Sequence, residues 1–193
     1  MKRRVVITGM GMVTPLGTNV GQTWAAVCAG RSGIGPITRF DASSMPVTFA
    51  AEAEEVPAHP SDEGDLKLRL ALTALEQALA QSGPVPGERT GVCMGSEIGR
   101  PSLPSLAEGL TSDAPPDPAA LARLDPAAPT RWIARACEAS GPMSTVSTAC
   151  TSSSQAVGEG LLRIRRGDAD VMVVGGVDVL VDALMVTLSL IHI

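Results

Sequence analysis

VSTACTSSSQAVGEGLLRIRRGDADVMVVGG, residues 146–176, changes its hydrophobic period twice. Ser144–Ala149 reads as a strand, and Cys150 closes it. Thr151–Arg166 follows as a helix, with Ala156, Val157, Leu161 and Ile164 expected on its inward face. Gly167-Asp168 then turns the chain into Val171–Val174, a short β-branched run that stops at Gly175-Gly176. A strand, a helix and a second apolar strand at this spacing make a unit of parallel sheet, buried on both faces.

The flanking sequence has the same grammar. Arg4–Thr8 predicts a short buried strand, and Gly9 to Gly17 a loop punctuated by Gly and Pro. Thr18 or Asn19 caps a helix in which Val20, Trp24 and Val27/Cys28 recur at helical spacing, and Gly30 stops it. Residues 31–63 read as irregular. Asp65–Ser82 is the clearest helix, with Leu68, Leu72, Leu75 and Leu79 on one face and Gly83-Pro84 at its end. Thr90–Met94 is a strand and Thr130–Ala139 a short helix. Between them, residues 101–129 hold seven of the fifteen prolines and read as a loop-rich insertion or lid. The fold class is α/β with a largely parallel sheet.

Composition excludes several functions. Aromatic residues are 2% of the chain, with no Tyr, which leaves no stacking platform for single-stranded nucleic acid. The net charge of −5 gives the whole chain no affinity for phosphate backbones. Five basic residues and no acidic one precede Asp41, which is either a patch for an acidic protein partner or a solvated face. The four cysteines and two histidines, His59 and His192, show no metal-ligand spacing, so no metal and no cofactor is expected. Cys28, Cys93, Cys137 and Cys150 do not read as a disulfide framework, which points to a reducing, cytoplasmic setting. The apolar stretch after Val171 is interrupted by Asp178 and Asp182, so no membrane span is expected.

Cys150 carries the chemistry. A thiol where a strand meets a helix start lies near free backbone N–H groups and the positive end of the helix dipole, which favour thiolate. The same N–H groups stabilise an oxyanion when an acyl carbonyl is attacked. Such a site would be largely buried, with the sulfur close to the first turn of the helix. From the residues alone, Cys150 is either this nucleophile or a small core residue. Two rival motifs exist. Gly9-x-Gly11 comes after a strand, but Thr14 holds the third glycine position of a dinucleotide loop and no acidic residue stands at the ribose distance. Gly91-Val-Cys93-Met-Gly95 has the shape of a nucleophile elbow, which would make Cys93 a hydrolase nucleophile with His192 as its only later histidine. Asp178 and Glu159 read as surface or helix-face carboxylates.

Read together, MKRRVVITGMGMVTPLG (1–17), TW (23–24), AGRSGIGPITRFDAS (29–43) and residues 146–176 resemble the type II β-ketoacyl-acyl-carrier-protein synthases, of the 3-oxoacyl-carrier-protein synthase II kind in the thiolase superfamily. The resemblance covers most of 1–187 as an N-terminal domain and is weakest over 100–140. It stops near Thr187, which makes LSLIHI (188–193) a suspected non-native tail. It implies a thiolase-like fold in α-β-α-β-α layers, of which this is the N-terminal half, the C-terminal half being absent. It also implies an acyltransferase that performs decarboxylative Claisen condensation in fatty-acid or polyketide elongation, and works as a cytoplasmic homodimer with acyl- and malonyl-loaded acyl carrier protein. Cys150 matches the acyl-accepting cysteine. The two histidines and the lysine that complete such sites belong to the absent half, and His192 matches neither histidine. The alternatives are a non-catalytic partner of the chain-length-factor kind, which typically lacks the cysteine, and the Cys93 hydrolase.

Overall fold

A central strand buried along its whole length has to be covered on both faces, and the chain is built around one. β3 (Thr90–Gly95) is buried at every position and lies between two parallel neighbours, β4 (Met143–Val146) and β5 (Val171–Gly176). The register sets Cys93 opposite Ser144 on one side and Val174 on the other. The computed structural model describes residues 3–53, 56–61, 65–97, 107, 109–112, 115 and 118–190.

Alternation along the strands assigns the helices to faces. Val92, Met94 and Val173 point to one face, where Leu72 and Leu75 of α2 (Leu66–Ser82) and Ile133, Ala134 and Cys137 of the α4 segment (helix Ala128–Ala136) pack on them. Val174 points to the other face, against the buried Gly160 of α5 (Ser152–Arg166), with Ala156 buried one turn earlier. The α/β expectation therefore holds, as helix, sheet and helix layers. Asp65 caps α2 by accepting from the amides of Lys67 at 2.7 Å and Leu68 at 3.3 Å. Gly83, at φ 78, ends it in a conformation an L side chain resists.

Several expectations need correction. Arg4–Thr8 is not a buried strand: Val6 is 60% and Ile7 78% exposed, and the segment pairs with no strand among the described residues. Residues 9–12 run along α2, whose Gln81 and Gln77 side chains accept from the amides of Met10 at 2.8 Å and Met12 at 3.1 Å. Gly9 and Gly11 meet the carbonyls of Ala78 and Ala74 there, so these glycines serve helix contact and not a phosphate loop. Between this segment, α2 and β5 lies a mostly apolar cavity of about 700 Å³, bordered by Met10, Leu75, Met94 and Val173. The helix α1 (Val20–Cys28), capped by Asn19, buries Thr23 and Ala26 and leaves Trp24 67% exposed. Its inward face is chosen by the Thr23 hydroxyl, 3.0 Å from that of Thr14, and not by the apolar stripe.

The irregular stretch 31–63 contains a small hairpin of β1 (Ile34–Pro36) and β2 (Phe49–Ala51). The proline-rich stretch is not all loop: α3 (Pro118–Leu124) and the start of α4 fall within it, while 101–106, 108, 113–114 and 116–117 lie outside the described residues. Pro129 sits in the first turn of α4, where its missing N–H costs nothing. A last helix, α6 (Ala183–Leu190), runs across the expected boundary at Thr187, and residues 191–193 with His192 lie outside the described residues. Among the described residues no helix is long and apolar enough to cross a membrane.

One contact positions the site. A Cβ on Gly95, at the end of β3, would lie 2.5 Å from the backbone of Ser152 and Ser153 at the start of α5. Gly95→Ala should therefore displace α5 and destabilise the fold by about 1–3 kcal/mol. Gly158→Ala, where an added Cβ meets nothing within 4 Å, should stabilise α5 by about 0.5–1 kcal/mol through helix propensity. Equilibrium urea unfolding of both variants checks the opposite signs.

Candidate active site

β4 ends at Val146, three residues short of the expected Ala149. Ser147 and Thr148 leave the sheet, and Cys150 sits in a single 3-10 turn, Ala149–Thr151, that runs directly into α5. The junction between strand and helix is where the sequence places it. Its burial is not: Cys150 is exposed, and so are Ser147, Thr148 and Ala149 beside it. The turn follows β4, which is an edge strand of the described sheet.

The turn is held by side chains. The amide of Thr148 donates to Ser152 Oγ at 2.8 Å, and that hydroxyl donates to the carbonyl of Ala149 at 2.8 Å. Thr151 Oγ1 donates to the Thr148 carbonyl at 2.9 Å. Ala149 is one of only two non-glycine residues at positive φ among those described, at 51°. That left-handed backbone costs about 1–3 kcal/mol and persists where the surroundings impose it.

Beside the turn, at the C-terminal ends of β3 and β5, is a pocket of about 230 Å³. It is lined by Gly95 and Gly176 from the strand ends, by Ser152 and Ser153 from the start of α5, and by Glu97 and Asp178. The crevice beyond the carboxyl ends of parallel strands is where α/β sheets place their ligands, since helix N-termini converge there. Lys67 reaches the last two from α2, donating to the Glu97 carbonyl at 2.7 Å and lying 3.5 Å from an Asp178 oxygen. Asp178 is thus paired and not a free surface carboxylate. Glu159 pairs with Arg163 one turn on along α5, at 2.6 Å, as the helix-face reading expects. Glu97 and Lys67 carry no motif in the sequence. Their one signal is an acidic residue two positions after a buried strand.

The rival nucleophile is placed differently. Cys93 lies within β3, fully buried, with ladder partners on both sides. A nucleophile elbow needs a sharp strand-to-helix turn at that residue, and there is none. Among the described residues no three of His, Cys, Asp and Glu gather into a metal-holding group.

Residues 2–188 match the family described as the β-ketoacyl synthase N-terminal domain. The chain belongs to that family. It is 36% identical over 194 residues to 3-oxoacyl-[acyl-carrier-protein] synthase 2 of Coxiella burnetii, covering 92% of this chain and 46% of the relative. It is 34% identical over 197 residues to the actinorhodin polyketide putative β-ketoacyl synthase 1 of Streptomyces coelicolor, covering 92% and 42%. Among solved structures, the ishigamide ketosynthase/chain length factor superposes with a TM-score of 0.82 at 32% identity, covering 97% of this chain and 50% of that one. A β-ketoacyl synthase from Burkholderia phymatum superposes at 0.71 with 29% identity, covering 88% and 45%. The chain therefore has the thiolase-like fold and spans about half the length of the curated relatives it matches, their N-terminal half.

The cysteines of this chain differ in environment. Cys93 and Cys137 are buried, and burial pushes the Cys137 thiol above its ordinary value. Cys28 and Cys150 are both exposed, but only Cys150 stands at the start of a long helix. Brief, limiting iodoacetamide and then peptide mapping should show Cys150 labelled first, Cys28 second and the buried pair last. Labelling led by Cys93 would instead support the hydrolase reading.

Proposed function

We propose that Cys150 is the acyl-accepting nucleophile of a β-ketoacyl-acyl-carrier-protein synthase. Its thiolate attacks the thioester carbonyl of an acyl-loaded carrier protein, and the tetrahedral oxyanion collapses by expelling the carrier's thiolate. In the complete enzyme, malonyl-carrier protein loses CO₂, and the resulting enolate carbon attacks the Cys150 thioester. That step forms the carbon–carbon bond and returns the thiolate. The single observation that carries this reading is the position of Cys150, between an edge strand and the N-terminus of α5, in a chain whose family performs acyl transfer.

The helix start supplies the electrostatics for the first step. The positive end of its dipole stabilises developing negative charge on sulfur and on the thioester oxygen. The second step needs more. An enolate has to be stabilised on a thioester oxygen, and the two histidines that the family resemblance assigns to that task lie beyond the half this chain matches. The exposed apolar side chains Val157 and Leu162 on α5, and Met143 on β4, support a covering surface, from the second half or from a second subunit. A cytoplasmic homodimer of the full-length enzyme belongs to the same proposal. So does the carrier-protein partner, which the names of the fatty-acid-type relatives carry.

The 193 residues alone should acylate without condensing. Missing oxyanion donors cost about 10²–10³ in rate each and act as a unit, so carbon–carbon bond formation falls below detection. The chain is supplied with acyl- and malonyl-carrier protein while CO₂ release and 3-oxoacyl product are monitored by mass spectrometry. Expected is a stoichiometric acyl adduct on Cys150, absent in Cys150→Ala, with no product. Multiple-turnover condensation by the isolated chain would overturn the half-enzyme reading. No adduct at all would favour a non-catalytic, chain-length-factor-like role.

A further inference from the structure

The turn that carries Cys150 is fastened from two sides, and only one fastening is local. On the helix side, Ser152 bonds the Thr148 amide and the Ala149 carbonyl. The Ala149 amide is taken from elsewhere: it donates to Glu97 Oε1 at 2.8 Å, from a residue 52 positions earlier at the end of β3. Ala149 is the residue of this turn at φ 51, and within the turn its amide is the one given a carboxylate acceptor.

Glu97 is held in place in its turn. Lys67 Nζ donates to the Glu97 carbonyl at 2.7 Å and to Ser96 Oγ at 3.3 Å, and lies 3.5 Å from Asp178. The Lys67 side chain is 12% exposed, so this cation is committed to the strand ends and not to solvent. The contacts form a chain from α2 through Lys67 to Glu97, and from Glu97 to the residue before Cys150.

We infer that Glu97 is a positioning residue for Cys150: its carboxylate imposes the left-handed turn at Ala149 and thereby sets the thiol at the head of α5. The inference rests on the reading of Cys150 as nucleophile. Glu97 touches no reacting atom; it acts through the Ala149 amide. Without it, the turn keeps its bonds to Ser152 but loses the contact that ties it to β3.

The test uses the full 193-residue chain with Glu97→Ala and Glu97→Gln. Glutamine keeps an oxygen acceptor within reach of the amide; alanine removes it. Two quantities are read: hydrogen exchange at the Ala149 amide, and the ratio of iodoacetamide rates at Cys150 and Cys28. Glu97→Ala should raise Ala149 exchange about tenfold or more. It should lower the rate ratio about threefold or more, with exchange in β3 and α2 unchanged. Glu97→Gln should hold both quantities within about twofold of the parent. Unchanged Ala149 exchange and an unchanged ratio in Glu97→Ala would overturn the inference. So would a Glu97→Gln variant that behaves like the alanine one. If Cys28 outpaces Cys150 in the parent chain, the nucleophile reading fails, while Ala149 exchange still decides whether Glu97 holds the turn.

Discussion

The site depends on one close approach: the start of α5 lies directly against the glycines that end β3 and β5. Gly95 brings β3 within backbone contact of Ser152 and Ser153, and Gly176 makes room at the end of β5 for the Cβ of Ser153. Helix dipole effects fall off within the first turn, so a helix start held even one side chain further away would present its N–H groups to a different place. Gly95 and Gly176 therefore set where α5 begins relative to the sheet, which explains why β5 ends in Gly176 and not in a β-branched residue that would have extended the strand more favourably.

Around that contact, the structure uses charge to tie together elements that hydrophobic packing leaves apart. α2 packs against β3 through leucines, yet its first turn lies at the open end of the sheet, where apolar residues would face the pocket. Lys67 bridges the gap with hydrogen bonds to the β3 end and an ion pair to the segment after β5. At the opposite end of the sheet, Asp170 is bonded by Arg89 at 2.6 Å and by Arg3 at 3.3 Å. The Arg89 hydrogen bond, with Arg3 nearby, holds this carboxylate below its ordinary value. That cluster is exposed, so it adds little stability, but it fixes where the N-terminal segment begins.

The two faces of the sheet are unequal. On the α2 and α4 side Leu72 and Val92 are fully buried, beside the apolar cavity bordered by Leu75, Met94 and Val173. The β4 edge, the turn at Cys150 and the outer side of α5 are open, with Met143, Val157 and Leu162 exposed. Cys150 lies on that open side.

Much of this was legible in the sequence. The leucine spacing of 68, 72 and 75 and the Asp65 and Gly83 signals are local, and local physics determines them. So are the strand at 90–95 and the strand, helix and strand unit from 143 to 176, within a few residues at each boundary. The position of Cys150 was readable because a junction between two periods is itself a sequence feature. What only the tertiary structure decided are pairings between distant segments. Whether Arg4–Thr8 joins a sheet depends on a neighbour to take its hydrogen bonds, and apolar content alone cannot supply one. Which face of α1 turns inward was decided by the hydroxyls of Thr14 and Thr23, not by Trp24. The exposure of Cys150 and its tether through Glu97 arise because a three-dimensional contact joins residues 52 apart, across a turn whose left-handed alanine no propensity favours.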